Sequence, residues 1–508
     1  MNEIQQESVF KNRVKQFFSK GIIYSIGSSL QLVVSFILIP TYTSYLTTED
    51  YGILSLMTIT SIMILTITKT PAATGFVRFF YAPDFSGKRK ELLFNAIAYS
   101  LSISLVISIL FLMSGRYWAL VILGSEKFLN VIYIYSIIIF LQPLLDLAQD
   151  LLKMQKRAVK FCLMHFLNTL FSASLIIFLI MFYDFKYMAL IWGALLSTIF
   201  PIAFLFYDII KNIKVRIDTS LLRKVLNYGF PLILTALSLF IIEYSEQYIV
   251  KYFLGIDQVG LYSFGFKFAF IINIILVLPM QNIINALIFE LEDDKENLFL
   301  FVRRISNLFF VVGIFFALCI SLFSKETIMV LAQKEIFWDS WKVIPPLSLA
   351  FVFYGAIEIT GKGINLVNKS KLYGILFLGA AIINLSVGIV LIQLLGIIGA
   401  SFSKLVAFVV LNILLYYFSN KYYGLILNIK RIVLVIVIGI FVYFISLFVQ
   451  FDDIVFSLVF KLFLVLLYII FLYIFRIVRK DELIFFKRII SINKRQNNNL
   501  RYSSKKNH

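Results

Sequence analysis

The chain has 508 residues, of which 60% are hydrophobic and 15% are charged, and its formal net charge at pH 7 is +19. Apolar runs of about twenty residues recur along it, which excludes an ordinary soluble globular protein and requires a bilayer as solvent. Lipid offers the backbone no hydrogen-bond partners, so runs this long and uniformly apolar predict helices. The predicted fold class is therefore an all-α, polytopic membrane protein.

Fourteen transmembrane helices are predicted along the chain. They are centred on residues 22–45, 53–76, 92–113, 129–151, 161–182, 188–207, 229–250, 260–288, 299–322, 344–366, 373–394, 397–418, 432–449 and 455–475. Lysine and arginine concentrate in alternate loops and in both tails, which predicts that both termini are cytoplasmic. We therefore assign the basic excess to topology and to anionic lipid headgroups, and expect no nucleic-acid partner.

An internal repeat divides the chain. Gly21 and Gly52 recur as Gly229 and Gly260, 208 residues later, and a Gly-Ala pair in the sixth helix recurs in the twelfth at nearly the same offset. Six helices per copy give both copies the same orientation, so we predict two parallel six-helix repeats that form two lobes around a central cavity. The predicted parts are a cytoplasmic basic N-tail (1–20), an N-lobe (21–210), a cytoplasmic linker (211–228), a C-lobe (229–420), two appended helices (432–475) and a basic cytoplasmic tail (476–508).

Several stretches together resemble a known family. They are TEDYGILSL, TGFVRFFY, YGFPLILTALSL, LGIDQVGLYSFGFKFA, VIPPLSLAFVFYGA and LLGIIGASFSKLVAF. Their order resembles the polysaccharide biosynthesis proteins, or O-antigen (oligosaccharide) flippases, of the multidrug/oligosaccharidyl-lipid/polysaccharide exporter superfamily. Relatives often have an Asp-Arg pair where this chain has Glu246-Gln247, so a role that depends on that arginine does not carry over.

The resemblance implies a flippase rather than an enzyme. Such a protein moves undecaprenyl-diphosphate-linked oligosaccharide from the inner to the outer leaflet of the bacterial cytoplasmic membrane, by alternating access of a cavity to the two sides. The expected partners are this lipid-linked glycan, membrane lipids and polysaccharide assembly proteins, and the expected oligomeric state is a monomer. A hydrated diphosphate needs a polar, cationic cavity to replace its water, so cations within the helices are the first candidates.

Lys267 is the first of these cations, and it lies in the eighth predicted helix. Gln281 and Asn285 recur on the same helix face, and this polar stripe predicts a face turned away from lipid. Lys267 would contact the diphosphate or sugar hydroxyls there. An ion pair with Glu246 on the preceding helix is the alternative, and the two roles are compatible because an anionic substrate could compete for the lysine.

Glu243 and Glu246 lie one turn apart in the seventh predicted helix, and ionisable residues inside a membrane are functional candidates. Burial and a like-charged neighbour both raise the proton affinity of a carboxylate, so either could couple transport to protons or sodium, or act as a gate. The alternative is a structural role in which Lys267 and nearby tyrosines are the partners.

Lys69 and Arg78 lie near the cytoplasmic end of the second predicted helix. Pro71 predicts a kink through which Lys69 could enter the cavity; the alternative is that Lys69 reaches the inner headgroups. Arg78 lies where the diphosphate would arrive, and arginine suits bidentate phosphate recognition. A simple positive-inside anchor is the alternative for Arg78.

The remaining embedded charges have open assignments. Glu358 and Lys362 stand in the favourable order for an intrahelical ion pair, which we weigh against a gating or ion-coupling role. Lys404 lies near mid-depth of the twelfth helix and should face either protein or the cavity, where it would be a further substrate ligand. Asp146 and Asp150 lie near the cytoplasmic end of the fourth helix; pairing with Lys153 or Arg157 is the expected arrangement.

We find no Walker motif, catalytic triad or metal-ligand cluster in the sequence, and we expect no cofactor, metal or catalytic residue. Two rival functions remain. One is an ion-coupled multidrug exporter, for which the embedded lysines are unfavourable. The other is a membrane glycan polymerase or ligase, against which the short outer loops argue.

Overall fold

The computed structural model describes residues 34–281, 284, 295–367, 369–449, 451 and 453–477. Within these residues the chain is almost wholly helical and contains no strand. The α-helices are α1 (Ile39–Tyr45), α2 (Thr48–Thr68), α3 (Thr70–Phe79), α4 (Arg89–Met113), α5 (Gly115–Leu123), α6 (Leu129–Met154), α7 (Ala158–Tyr183), α8 (Lys186–Asn212), α9 (Thr219–Leu254), α10 (Ile256–Ala269), α11 (Lys295–Leu322), α12 (Ser324–Leu331), α13 (Ile344–Thr360), α14 (Lys362–Leu366), α15 (Ser370–Leu395), α16 (Ile397–Tyr423), α17 (Ile429–Phe448) and α18 (Ile454–Ile474).

Thirteen helical segments in the described part of the chain are long and apolar enough to cross a membrane. Each corresponds to one of the fourteen predicted helices, and this agreement confirms the predicted all-α, polytopic fold. The first half (22–33) of the remaining prediction, 22–45, lies outside the described residues, as do the tail at 1–20 and nearly all of the tail at 476–508.

Helix α2 begins at a capping box that also orders a neighbouring helix. The Thr47 amide donates to the Asp50 carboxylate over 2.8 Å, and the Thr47 hydroxyl accepts from the Asp50 amide over 3.3 Å. The second Asp50 oxygen accepts from the Tyr187 amide in the first turn of α8. Asp50 is almost completely buried, so its carboxylate is stabilised by the otherwise unpaired amides of two helix starts.

The equivalent helices α2 and α10 are both interrupted in their second halves. Helix α2 ends before Lys69, and α3 begins with Pro71 in its first turn, as the predicted kink requires. Helix α10 passes into a π-helical turn at Asn273–Val277. Such irregular turns often mark functional positions, because they redirect a helix without ending it.

The helices fall into two groups by packing. In the first half, α4 packs on α6, α6 on α8, α7 on α8, and α2 on α6. In the second half, α9 packs on α15, α15 on α16, α16 on α13, and α13 on α11. Helix α17 packs against α11 and α18 against α17, so the two appended helices lie beside the second half. The domain boundaries given above remain predictions.

The two halves meet through four glycines at two helix crossings. At the α2–α10 crossing, a methyl group on Gly260 would lie 1.8 Å from the Thr48 carbonyl oxygen, and one on Gly52 would lie 2.3 Å from that of Ile256. Thr48 and Ile256 are 208 residues apart, as are Gly52 and Gly260. The contact is therefore pseudo-symmetric about an axis between the halves.

At the opposite end of α2, the α3–α9 crossing also brings glycines against backbone carbonyl groups of the other half. A methyl group on Gly229 would lie 2.0 Å from the Pro71 carbonyl oxygen, and one on Gly75 would lie 2.6 Å from that of Val225. Backbones can approach this closely only where a side chain is absent, which is how small residues bring membrane helices together.

We predict that Gly260→Ala opens the α2–α10 crossing. Overpacking costs about 1–3 kcal/mol, and every 1.4 kcal/mol is about a tenfold change in population. The fraction of molecules in which α2 and α10 stay in contact at this crossing should therefore fall by several-fold or more. Spin labels at the exposed Tyr117 and Tyr252, measured by pulsed electron resonance in lipid, should then move to longer distances.

Gly379→Ala is the matched control, because a methyl group there meets nothing within 4 Å. It should leave the distance distribution unchanged. An identical distribution for Gly260→Ala and the wild type would show that the crossing does not hold the two halves together.

Candidate functional site

Lys267 lies between the two crossings, on the face of α10 that meets the first half. It stands two turns along the helix from Gly260, and its ammonium lies 4.4 Å from the centre of the Tyr51 ring. Tyr51 is buried and held edge-on by Phe264 and Phe337 at 5.6 and 5.3 Å. Lys267 itself is exposed and makes no ion pair within the described residues. The expected pair with Glu246 is therefore not formed.

Two hydrogen bonds also join the halves between the crossings. The Ser55 hydroxyl donates to the Gln247 side-chain oxygen over 2.5 Å, and the hydroxyls of Thr60 and Tyr248 lie 2.7 Å apart. Gln247 is buried, so it bridges the halves as a neutral group. None of these four residues is among the site candidates predicted from the sequence. Their polar character inside apolar helices was the available signal.

Arg78 is exposed at the end of α3, one turn beyond Gly75 on the helix face that meets α9. It makes no ion pair with any residue that the structure describes. Its guanidinium donors are therefore available at the mouth between the two halves, just outside the α3–α9 crossing.

Lys69, at the break between α2 and α3, is paired rather than free. Its ammonium lies 3.1 Å from an Asp146 oxygen and 3.7 Å from an Asp150 oxygen, both on α6. Asp150 also pairs with Lys153 at 3.1 Å. Lys69 thus offers no unpaired charge to an anion, and it is a partner of these aspartates that was not predicted from the sequence.

Lys404 and Glu246 form a fully buried ion pair at 2.6 Å. The Lys404 ammonium also donates to the Glu243 carbonyl oxygen over 2.5 Å and lies 4.4 Å from the Phe266 ring. The Tyr262 hydroxyl donates to the bonded Glu246 oxygen over 2.9 Å. Lys404, which was proposed as a substrate ligand, is instead inaccessible and joins α9, α10 and α16.

Glu243 differs from Glu246 although they lie one turn apart. Its side chain is only partly buried, and the hydroxyls of Tyr244 and Tyr354 are its hydrogen-bonding neighbours. The nearest cation, Lys404, is already bonded to Glu246. Glu243 is therefore the more accessible of the two carboxylates.

Glu358 and Lys362 form the predicted intrahelical pair only loosely, at 4.0 Å. The side chain of Glu358 is 28% exposed. Tyr354 and Tyr373 lie close enough to interact electrostatically with its carboxylate. Gln281 is half-buried at the end of the described part of its helix, whereas Asn285 lies outside the described residues.

Two carboxylates outside the membrane-spanning helices are held in their charged form. Hydrogen bonds from the Leu221 amide and the Ser220 hydroxyl hold the pKa of Asp218 below its usual range, and Asp218 caps α9. Burial would raise the pKa of Glu326, but hydrogen bonds from Lys461 and Ser457, at 2.5 and 2.8 Å, outweigh it and keep the pKa low. The second interaction anchors α18 to α12.

The described residues contain no group of three metal-ligating side chains. Within the described residues, the candidate site is a polar interface between the two helical halves. The exposed ammonium of Lys267 lies between the two crossings, and the guanidinium of Arg78 lies outside them. Together with the apolar helices, these features define a polytopic membrane protein.

A family model described as polysaccharide biosynthesis protein matches residues 44–335, which is more than half of the chain. The chain therefore belongs to the polysaccharide biosynthesis protein family. No match is found among curated proteins.

Solved structures share the fold. The lipid II flippase MurJ in an inward closed conformation matches with a TM-score of 0.70 and 17% identity, over 89% of this chain and 98% of that one. An inward-facing multidrug resistance MATE transporter of the MOP superfamily matches with a TM-score of 0.64 and 14% identity, over 78% and 94%. A MOP superfamily transporter from Pyrococcus furiosus gives 0.58 and 15%, over 81% and 96%. At these identities the likeness establishes the MOP-superfamily fold.

We predict that Lys404→Met destabilises the protein, because Glu246 would keep a buried charge without its partner. Breaking a buried ion pair from one side costs about 3–5 kcal/mol. The apparent unfolding temperature in a fixed detergent or lipid should fall clearly. The double variant Lys404→Met, Glu246→Gln should recover much of the loss, since it removes both charges.

Lys371→Met is the control, because Lys371 is exposed at the start of α15. An unchanged unfolding temperature for Lys404→Met, or equal losses for the single and double variants, would refute a structural role for this pair.

Proposed function

We propose that this protein moves an undecaprenyl-diphosphate-linked oligosaccharide from the inner to the outer leaflet by alternating access, for surface polysaccharide biosynthesis. The observation that carries the proposal is the pair of glycine crossings, which join the halves at both ends of α2 and leave the accessible Lys267 between them. Opening one crossing at a time would expose that region first to one side of the membrane and then to the other.

The two accessible cations fit the diphosphate. Its transfer through the bilayer is prohibitive unless charged or hydrogen-bonding groups replace its water. Lys69 and Lys404 are already neutralised by carboxylates, which leaves Lys267 and Arg78 as the candidate ligands. In this proposal Arg78 meets the diphosphate at the mouth, and Lys267 holds it between the crossings while the polyprenyl tail stays in lipid.

Other predicted residues have roles that suit a neutral glycan. Glu358 and Glu243 each lie beside tyrosine hydroxyls, and a carboxylate next to a hydroxyl can hydrogen-bond to sugar. Gln281 could add an amide on the α10 side. Lys362, whose ammonium lies 4.0 Å from Glu358, would gate the cavity together with that carboxylate.

We place the protein in a bacterial cytoplasmic membrane, with both termini and the α3–α9 crossing on the cytoplasmic side. The support is the enrichment of lysine and arginine in the loops and tails of that side. We propose that it acts as a monomer beside polysaccharide assembly proteins. An ion gradient, the membrane potential or consumption of the flipped product would drive it.

Deletion of the gene tests the proposal. We expect undecaprenyl-linked glycan to accumulate in the inner leaflet while assembly on the cytoplasmic side continues, and surface glycan to be lost. Extraction of the lipid-linked pool with mass analysis, beside staining of surface glycan, measures both. Surface glycan at the normal level and no accumulation would refute the flippase.

An ion-coupled exporter of cationic drugs is the second candidate, and Glu243 favours it. A partly exposed carboxylate between tyrosines is better suited to binding a cation or a coupling proton than to binding a diphosphate. This function predicts that dye efflux falls in the deletion strain while surface glycan persists, and that Glu243→Gln does not restore efflux. Normal efflux in the deletion strain would eliminate it.

Lys267→Gln should slow transport of the lipid-linked glycan without unfolding the protein. Glutamine keeps a polar side chain but removes the charge, and a hydrogen bond to a charged group contributes about 1.5–3 kcal/mol. Since 1.4 kcal/mol is about tenfold, the flipping rate in proteoliposomes should fall roughly ten- to a hundredfold. A fluorescent lipid-linked oligosaccharide reports the rate.

Lys371→Gln, which removes an exposed charge away from the crossings, serves as the control and should transport normally. A rate for Lys267→Gln equal to that of the wild type would show that this lysine does not bind the substrate.

A further inference from the structure

A shallow, open groove with a mainly apolar lining and basic residues around it lies on the peripheral surface of the first half, at the start of α7 and the end of α8. Its volume is about 570 Å³. We call it the headgroup groove and define it by Lys156, Arg157, Lys160, Leu163 and Phe204, which line it. It is separate from the crossings and from Lys267.

The groove carries an excess of positive charge. Asp208, which is buried behind it, accepts hydrogen bonds from Arg157 and Lys160 and pairs with both. Three cations therefore face one carboxylate. Arg157 has five N–H donors and Lys160 three, so each keeps donors beyond the one directed at Asp208. Asp208 fixes the two side chains in place and leaves about two positive charges for a ligand.

Lys156 is exposed beside the groove, directly after α6. Its φ is +57°, in the left-handed region that favours glycine. Lys156 ends α6 in a Schellman motif, in which the Arg157 amide donates to the Leu152 carbonyl oxygen and the Lys156 amide donates to that of Lys153. Glycine would suit this backbone position, and the lysine adds an exposed ammonium at the rim of the groove.

The apolar side of the groove faces lipid. Val159 and Leu163 are 71% and 48% exposed on α7, and the Lys160 ammonium lies 5.3 Å from the Phe204 ring. The exposed Tyr207, one turn further along α8, is typical of the aromatic residues found at headgroup depth. A cationic site thus adjoins an apolar, membrane-facing surface.

We propose that the headgroup groove binds the phosphate of an anionic phospholipid of the cytoplasmic leaflet. Lys156, Arg157 and Lys160 neutralise the phosphate, and an acyl chain lies along Leu163 and Phe204. Basic pockets between membrane helices on the cytoplasmic side are suited to such headgroups, because negative lipids concentrate there. A zwitterionic lipid would bind less tightly, since its own cation opposes the three of the groove.

Native mass spectrometry of the full-length protein, released from nanodiscs of equal phosphatidylglycerol and phosphatidylcholine, tests the proposal. The wild type should retain phosphatidylglycerol at least several-fold over phosphatidylcholine. Lys156→Gly should lose most of this preference while its unfolding temperature in pure phosphatidylcholine stays equal or rises, because glycine relieves the left-handed backbone. Lys371→Gln removes the same charge elsewhere and should retain the preference.

Equal retention of the two lipids by the wild type, or an undiminished preference in Lys156→Gly, would overturn the proposal. A second arm adds undecaprenyl diphosphate in equimolar amount to phosphatidylglycerol. Continued retention of phosphatidylglycerol supports a phospholipid site. Displacement of it by undecaprenyl diphosphate in the wild type, but not in Lys156→Gly, would assign the groove to the lipid-linked substrate and overturn the phospholipid assignment.

Discussion

The close approach of helix backbones at four glycines is the constraint on which the rest of the structure depends. In a bilayer, apolar side chains gain little by leaving lipid for one another, so helices associate where small residues allow dense backbone packing. Gly52 and Gly260 make this contact at one end of α2, and Gly75 and Gly229 make it at the other. The location of Lys267 and of the hydrogen bonds between the halves follows from these two contacts.

The nature of those contacts also distinguishes them from the Lys404–Glu246 pair. Separating two backbones at a glycine forfeits van der Waals contact but leaves no charge without a partner. Separating Lys404 from Glu246 would strand two buried charges, which is far more costly. Separating the halves at the crossings therefore strands no charge, whereas the ion pair holds α9, α10 and α16 together. Within the proposed alternating access, the second half would move as a unit.

Pairing sorts the embedded charges into structural and accessible groups. Lys69 lies between two aspartates and Lys404 against Glu246, so neither offers an unpaired charge. Lys267 and Arg78 do. The same distinction separates Glu246 from Glu243, one turn away. A transporter of an anionic lipid needs few free cations, because each one must be stabilised when the substrate is absent; for Lys267 the Tyr51 ring supplies that stabilisation.

The sequence by itself determined the helical class and the approximate positions of thirteen membrane helices, because lipid admits few alternatives to a continuous apolar helix. It also predicted the 208-residue repeat, of whose glycines Gly52, Gly229 and Gly260 proved to be contact points. Only the tertiary structure decided which charges meet. Glu246 lies within reach of Lys267 by helix order, yet it pairs with Lys404, 158 residues away, because the rotation of each helix about its axis decides partners. These helices are apolar on most faces, so hydropathy carries little information about that rotation.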